Sequence, residues 1–197
     1  MRQVYRPLAA QRPSGVLVVL DAGHGGADEG ARVQTFQEKR ATLSTSLLLK
    51  GYLEEMGYKV LMTRSRDLYL SLDQRAAIAN KSKAALFVSI HFNASKNKAA
   101  KGIEVYYCES KEGARPRASR RLANCVLYHL IDQTEARSRG VKKGNFHVIR
   151  ETEMPAILVE GGFVTNVEER ALLRNKEYLD RLAKGIAKGI DKYVRAK

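Results

Sequence analysis

The chain has no long hydrophobic run. Nothing in its 197 residues approaches the roughly 18 consecutive apolar side chains of a bilayer-crossing helix, so no membrane span is predicted. Cysteine is scarce. Cys108 and Cys125 are the only two, and their separation matches no metal-type spacing. Cys125 falls off the apolar stripe of its predicted helix, so two separate thiols is the simpler reading and a disulfide the alternative. Internal repeats, low-complexity tracts and linkers are absent, and one domain is the reading for this length. A nucleic-acid-binding motif is also missing, although 35 Lys and Arg against 21 Asp and Glu give a net charge of +14. Such a charge attracts a polyanion: nucleic acid, anionic lipid or an acidic cell-wall polymer. The basic residues are spread along the chain rather than gathered in one stripe, which argues against a nucleic-acid partner and also suits a plain basic surface. Residues 1–15 lack a signal-peptide core. With Pro7 and Pro13, they read as a disordered arm ahead of a domain over residues 16–197. On that reading the protein is cytoplasmic, or a targeting segment has been removed from it.

What is present alternates between strand and helix. Val16–Leu20, Lys59–Thr63, Ala85–Ile90, Ile103–Tyr107, Phe146–Arg150 and Ala156–Glu160 have strand character. A helix is predicted from about Lys39 to Met56, with Thr45, Leu48, Leu49, Tyr52, Leu53 and Met56 as its core stripe and Gly57 as its stop. Others are predicted over Leu72–Lys81, over Pro116–Thr134 with Pro in the first turn, and over Lys176–Val194. The second of these three turns Ala123, Val126, Leu127, Leu130 and Ile131 inward; the last turns in Leu179, Leu182, Ala183, Ile186, Ile190 and Val194. This alternation predicts an α/β fold: a twisted, mostly parallel sheet with helices on both faces.

Three of the strands end in chemistry. Val18-Val19-Leu20-Asp21 runs into Ala22-Gly23-His24-Gly25-Gly26, Leu86-Phe87-Val88-Ser89-Ile90 into His91, and Ile157-Leu158-Val159 into Glu160-Gly161-Gly162. Ligands of open α/β sheets bind beyond the carboxyl ends of the strands, so His24, His91 and Glu160 point to one site. A histidine at a strand end is commonly structural, but glycines beside it leave room for a metal and its substrate. Catalytic zinc takes three protein ligands and an open position. Glu38, where the loop after the first strand meets the first helix, is the preferred third ligand. A carboxylate there also suits the helix dipole, and Asp28 and Glu29 compete with it on spacing. His129, in a helix, and His147, in a polar-flanked strand, read as structural. A carboxylate following Ile-Leu-Val is costly to bury unless paired or functional. Partial burial raises its pKa and suits Glu160 to proton shuttling; a salt-bridged structural glutamate is the alternative.

From about Val16 onward the chain resembles the zinc-dependent N-acetylmuramoyl-L-alanine amidases of the Amidase_3 family, which includes cell-division and sporulation amidases. The resemblance is carried by Leu20–Gly26, Glu38-Lys39, Thr63-Arg64, Leu72–Arg75 and Ala79-Asn80. Phe87–Ala94, Gly102–Tyr107, Met154–Glu160 and Phe163–Asn166 continue it in order. Ala22 departs from the pattern, where the family usually has Pro. The resemblance implies a six-stranded sheet, zinc held by His24, Glu38 and His91, and Glu160 as the catalytic carboxylate. The implied reaction is hydrolysis of the amide between the lactyl group of N-acetylmuramic acid and L-alanine of the stem peptide. It also implies peptidoglycan as partner, in wall remodelling or daughter-cell separation, and a periplasmic or envelope location; a monomer is expected. Some division amidases of this kind carry an inserted segment whose helix blocks the zinc. Here Cys108–Arg115 is too short and polar for one.

Three rivals stand beside this reading. One is a catalytically dead binder of peptidoglycan. A second is a penicillin-binding-type serine enzyme, because Ser95-Lys96-Asn97-Lys98 spells S-x-x-K, although its K-T-G and S-D-N partners are missing. A nucleic-acid binder rests on charge alone.

Overall fold

The computed structural model describes residues 15–109 and 113–196. The predicted arm therefore lies, but for Gly15, outside the described residues. Six strands form one sheet in the order β4-β1-β5-β8-β6-β7. They are β1 (Leu17–Ala22), β4 (Lys59–Met62), β5 (Leu86–Asn93), β6 (Ile103–Tyr107), β7 (Ser138–Lys143) and β8 (Ala156–Phe163). All neighbours pair in parallel except β6 and β8, which are antiparallel. The carboxyl ends of β1, β5 and β8 therefore share one edge with the start of β6. A two-stranded ribbon, β2 (Arg32–Val33) and β3 (Phe36–Gln37), leads into helix α1 (Glu38–Glu55). The remaining helices are α2 (Leu72–Ser82), α3 (Arg115–Thr134), α4 (His147–Glu151), α5 (Val167–Leu173) and α6 (Lys176–Arg195).

The pleat sorts side chains by parity. Val18, Leu20, Leu86, Val88, Ile90, Ile157 and Val159 join α1, α3 and α6 in the larger apolar cluster. Val19, Phe87, Ala156 and Leu158 face the other way and meet Ala79 of α2 and Val148 and Ile149 of α4. Gly185 and Gly189 let α6 lie close on α3: a Cβ at Gly189 would stand 2.4 Å from the Val126 Cα.

Two expectations need correction. Phe146–Arg150 is not a strand; His147–Glu151 forms a single helical turn. Val148 and Ile149 are consecutive and both buried in the same cluster, which a strand's alternation cannot achieve. The sixth strand is instead Ser138–Lys143, an edge strand whose polar composition hid it from a search for apolar alternation. Leu48 is also misplaced by the predicted core stripe: it is 37% exposed, and with Leu47 it lines an open groove between α1 and α6. Cys108 is buried, Cys125 half-buried, and no disulfide joins them.

Candidate metal centre

The loop after β1 is held by a buried polar hub. Asp21, fully buried, accepts hydrogen bonds from Thr63 (2.7 Å), Ser89 (2.7 Å) and Arg75 (2.8 Å). Arg75 also reaches the Ala22 and His24 carbonyls, and Arg64 reaches those of Ala22, Gly23 and Lys39. These bonds satisfy backbone that would otherwise be buried without partners. They fix a turn in which His24 takes a left-handed φ of 61°, a conformation that costs a non-glycine residue free energy. Glycine is required on both sides of the site. A Cβ on Gly23 would fall 2.2 Å from the His91 ring, and one on Gly30 2.6 Å from His24 and 2.7 Å from Glu38.

Glu38 opens α1 with its carboxylate buried against the loop. Its Oε2 accepts from the Ala31 amide (2.8 Å), and its Oε1 from the Phe92 amide (3.0 Å). The same Oε1 lies 3.1 Å from His24 Nε2 and 3.1 Å from His91 Nδ1. The two imidazoles stand edge to face, 4.8 Å apart. Among the described residues, His24, Glu38 and His91 form the group that could hold a metal ion.

The donor chemistry fits a cation. His24 Nδ1 lies 2.8 Å from Asp28 Oδ2. An ionised carboxylate only accepts, so Nδ1 carries a proton, and in the neutral ring Nε2 turns a lone pair toward Glu38. Two acceptors facing each other at 3.1 Å need a proton or a metal ion between them. Ligand atoms around tetrahedral zinc sit roughly 3.3 Å apart, given bonds of about 2.05 Å. Burial alone would lower the His24 pKa, but Glu38 and Asp28 together raise it. Burial would raise that of Glu38, and the two histidines bring it far below the ordinary carboxylate range.

Glu160 is the register partner of His91 across β5 and β8 and of Glu104 across β8 and β6, so the three share one face of the sheet. Its Oε2 is buried and makes no hydrogen bond to protein. Burial, then the nearby charges of Glu38 and Glu104, push its pKa well above the ordinary value. β8 carries an extra residue opposite His91–Asn93, accommodated by Gly162 at φ 138°. A Cβ at Gly161 would stand 2.7 Å from the Phe92 ring.

The other candidates fall elsewhere. Asp28 is the hydrogen-bond partner of His24, and Glu29 accepts from Arg32 and Gln37. His129 sits on α3 beside Tyr128. His147 contacts Asp73 and Arg150. Ser95 lies in the loop after β5, where its hydroxyl accepts from the Asn97 amide; the S-x-x-K sequence is not on a helix. Sequence reasoning missed Asp21 as the hub and Asp28 as the residue that orients His24. A charged residue inside an apolar strand was the available signal for Asp21.

A family model described as N-acetylmuramoyl-L-alanine amidase matches residues 18–192. The uncharacterised protein YqiI of Bacillus subtilis (strain 168) is 40% identical over 185 residues, spanning 94% of this chain and 88% of its own. N-acetylmuramoyl-L-alanine amidase CwlM of Bacillus licheniformis is 38% identical over 177 residues, 89% of this chain and 67% of its own. The solved catalytic domain of CwlV, an N-acetylmuramoyl-L-alanine amidase from Bacillus (Paenibacillus) polymyxa var. colistinus, superposes with a TM-score of 0.85 at 40% identity. That match covers 92% of this chain and 99% of that one.

Proposed function

The chain belongs to the N-acetylmuramoyl-L-alanine amidase family, and on that premise we propose that it is a zinc-dependent peptidoglycan hydrolase. It cuts the amide between the lactyl group of N-acetylmuramic acid and L-alanine. The observation that carries this reading is a His-Glu-His cluster with 3.1 Å edges, beside a buried carboxylate oxygen that lacks a protein partner.

His24 through Nε2, Glu38 through Oε1 and His91 through Nδ1 would hold the ion. Zinc supplies Lewis acidity there, acidifying water and polarising a carbonyl oxygen. Asp28 fixes the tautomer and ring plane of His24, as outer-shell partners of metal ligands do. The Glu160 Oε2 accepts the proton of the attacking water. Its raised pKa lets the carboxyl hold that proton until the more basic leaving amine takes it.

The charge of +14 suits an anionic wall polymer, and we infer a chain that works at the cell envelope, in wall remodelling or daughter-cell separation, as a monomer. No helix among the described residues is long and apolar enough to cross a membrane. The link from β6 to α3 is short, with residues 110–112 outside the described ones, so the chain acts without an activator that removes an inserted helix.

Mass spectrometry of products from purified peptidoglycan tests the reaction. Free stem peptides beginning with L-alanine are expected from the purified chain alone. Shortened glycans with peptides still attached would show that a different bond is cut. Metal analysis should give one zinc per chain, lost on chelation and in His24→Ala, Glu38→Ala and His91→Ala.

A further inference from the structure

β7 carries a defect opposite the site. Ile103 pairs with Ser138 and Val105 with Val141, so two steps on β6 span three on β7. The extra residue falls at Arg139–Gly140, opposite Glu104, where Gly140 takes φ 89°. In a regular strand residues three apart face opposite sides. Here the bulge turns Arg139 and Lys142 to the same side, and bulges beside active sites often re-aim a side chain in this way. Both cations contact one oxygen, Oε1 of Glu104, Lys142 at 2.7 Å and Arg139 through its Nε. The other oxygen takes the Tyr106 hydroxyl.

At Glu104 itself two cations share one carboxylate, so its single charge does not satisfy both. Arg139 is firmly seated. Its guanidinium lies over the Phe163 ring, 5.0 Å from the centroid, and a Cβ at Gly102 would meet its Cγ at 2.9 Å. Its side chain is 30% exposed, and its two Nη groups hydrogen-bond nothing among the described residues. β7 is two strands from β8, about 10 Å at ordinary strand spacing. That is the reach from a scissile amide at Glu160 to the next residue but one of a peptide.

We propose that the Arg139 guanidinium, backed by Lys142, is a subsite for a free carboxylate on the leaving peptide, carried by the residue that follows L-alanine. A planar guanidinium fork matches a carboxylate in two parallel hydrogen bonds. The subsite selects peptides whose second residue is an ionised acid over those in which that carboxyl is an amide. Glu104 is the anchor that holds the fork toward the cleft.

The inference rests on the proposed amidase reading, and its test separates the two. Two muramoyl peptides are compared, identical except for a free α-carboxylate or its amide on the residue after L-alanine. The native chain should favour the acid by about ten- to hundred-fold in kcat/KM, mostly through KM, the range of a charge-assisted hydrogen bond. Arg139→Gln should bring that ratio close to one, and Arg139→Lys should leave an intermediate ratio. A purely structural role would lower both substrates alike and preserve the ratio, which overturns the proposal; so does a native ratio of one. The same pair is titrated calorimetrically into the Glu160→Gln protein, where binding is read without turnover. Selective binding of the acid with no hydrolysis by the native chain would leave the subsite standing and remove the amidase reading. Hydrolysis of both peptides at equal rates, with equal binding, would do the reverse. Failure to bind either peptide overturns the subsite.

Discussion

On β8, Val159 and Glu160 are chain neighbours that face opposite sides of the sheet. Val159 is 1% exposed in a cluster closed by α1, α3 and α6. Glu160 faces the side covered by α2 and α4, whose apolar contacts stop at Leu158. Beyond Leu158 that side holds His91, Glu160 and Glu104 in register, with the Arg139 and Lys142 fork bonded to Glu104. One face is stabilised by burying apolar area. The other is held by directional bonds to charged groups: Asp21 with its three donors, Glu38 with its two amides, Glu104 with its two cations. The same strands can serve both ends because the pleat separates successive side chains, so chemistry placed on one face leaves the packing of the other alone.

The sharpest way to break that comparison is to exchange each neighbour in turn. Glu160→Gln should retain fold and metal and lose about 10²–10⁴-fold in amide hydrolysis, since the amide cannot accept the proton. Rates within a few-fold of the native enzyme would remove Glu160 from the chemistry, and loss of metal would make it a ligand. Next in size, Asp28→Ala should weaken zinc affinity by about 10–100-fold by releasing the His24 Nδ1 proton. Competition with a calibrated chelator reads this directly, and an unchanged affinity would show that the loop alone orients the ring. Val159→Ala should lower stability by about 2 kcal/mol through lost burial and a residual cavity, while kcat/KM of the folded fraction stays within a few-fold. A large kinetic loss would mean that the two faces are mechanically coupled.

The smallest effect concerns pH. Folding raises the Glu160 pKa above its ordinary 4.5, so just above that value the folded chain binds more protons than the unfolded one. Stability of the metal-stripped protein therefore falls as pH rises from 4.5 through the folded pKa. Glu160→Gln removes this dependence and should be more stable than the native chain at neutral pH by about 1 kcal/mol. Melting temperatures of the two proteins in chelator, taken across that window, should diverge as pH rises. Parallel curves would mean that the carboxylate is solvated.

The apolar runs ending at Leu20, Ile90 and Val159 are legible because burial on both faces needs continuous β-branched and aliphatic residues. The helical stripes over α1, α3 and α6 are legible for the corresponding reason at a period of 3.6. Leu48 fails because periodicity says which residues share a face, not how far the neighbouring helix reaches along it. Phe146–Arg150 and Ser138–Lys143 fail together. In a five-residue run of mixed character, β-branching does not distinguish a strand from one helical turn, and an edge strand needs no apolar alternation.

By itself the sequence determined the α/β class, the order of the main elements, and the chain positions at which His24, Glu38, His91 and Glu160 follow strands or begin a helix. Those are local properties, set by periodicity, glycine placement and residue type. Only the tertiary structure decided that Glu38, rather than Asp28 or Glu29, lies within 3.1 Å of both histidines. It alone turned Asp28 into the partner of His24 and brought Arg139 and Lys142 onto Glu104. Those choices depend on which strands pair, in what register and with what bulge, and hydrogen bonds between residues dozens of positions apart exist only once the sheet has closed.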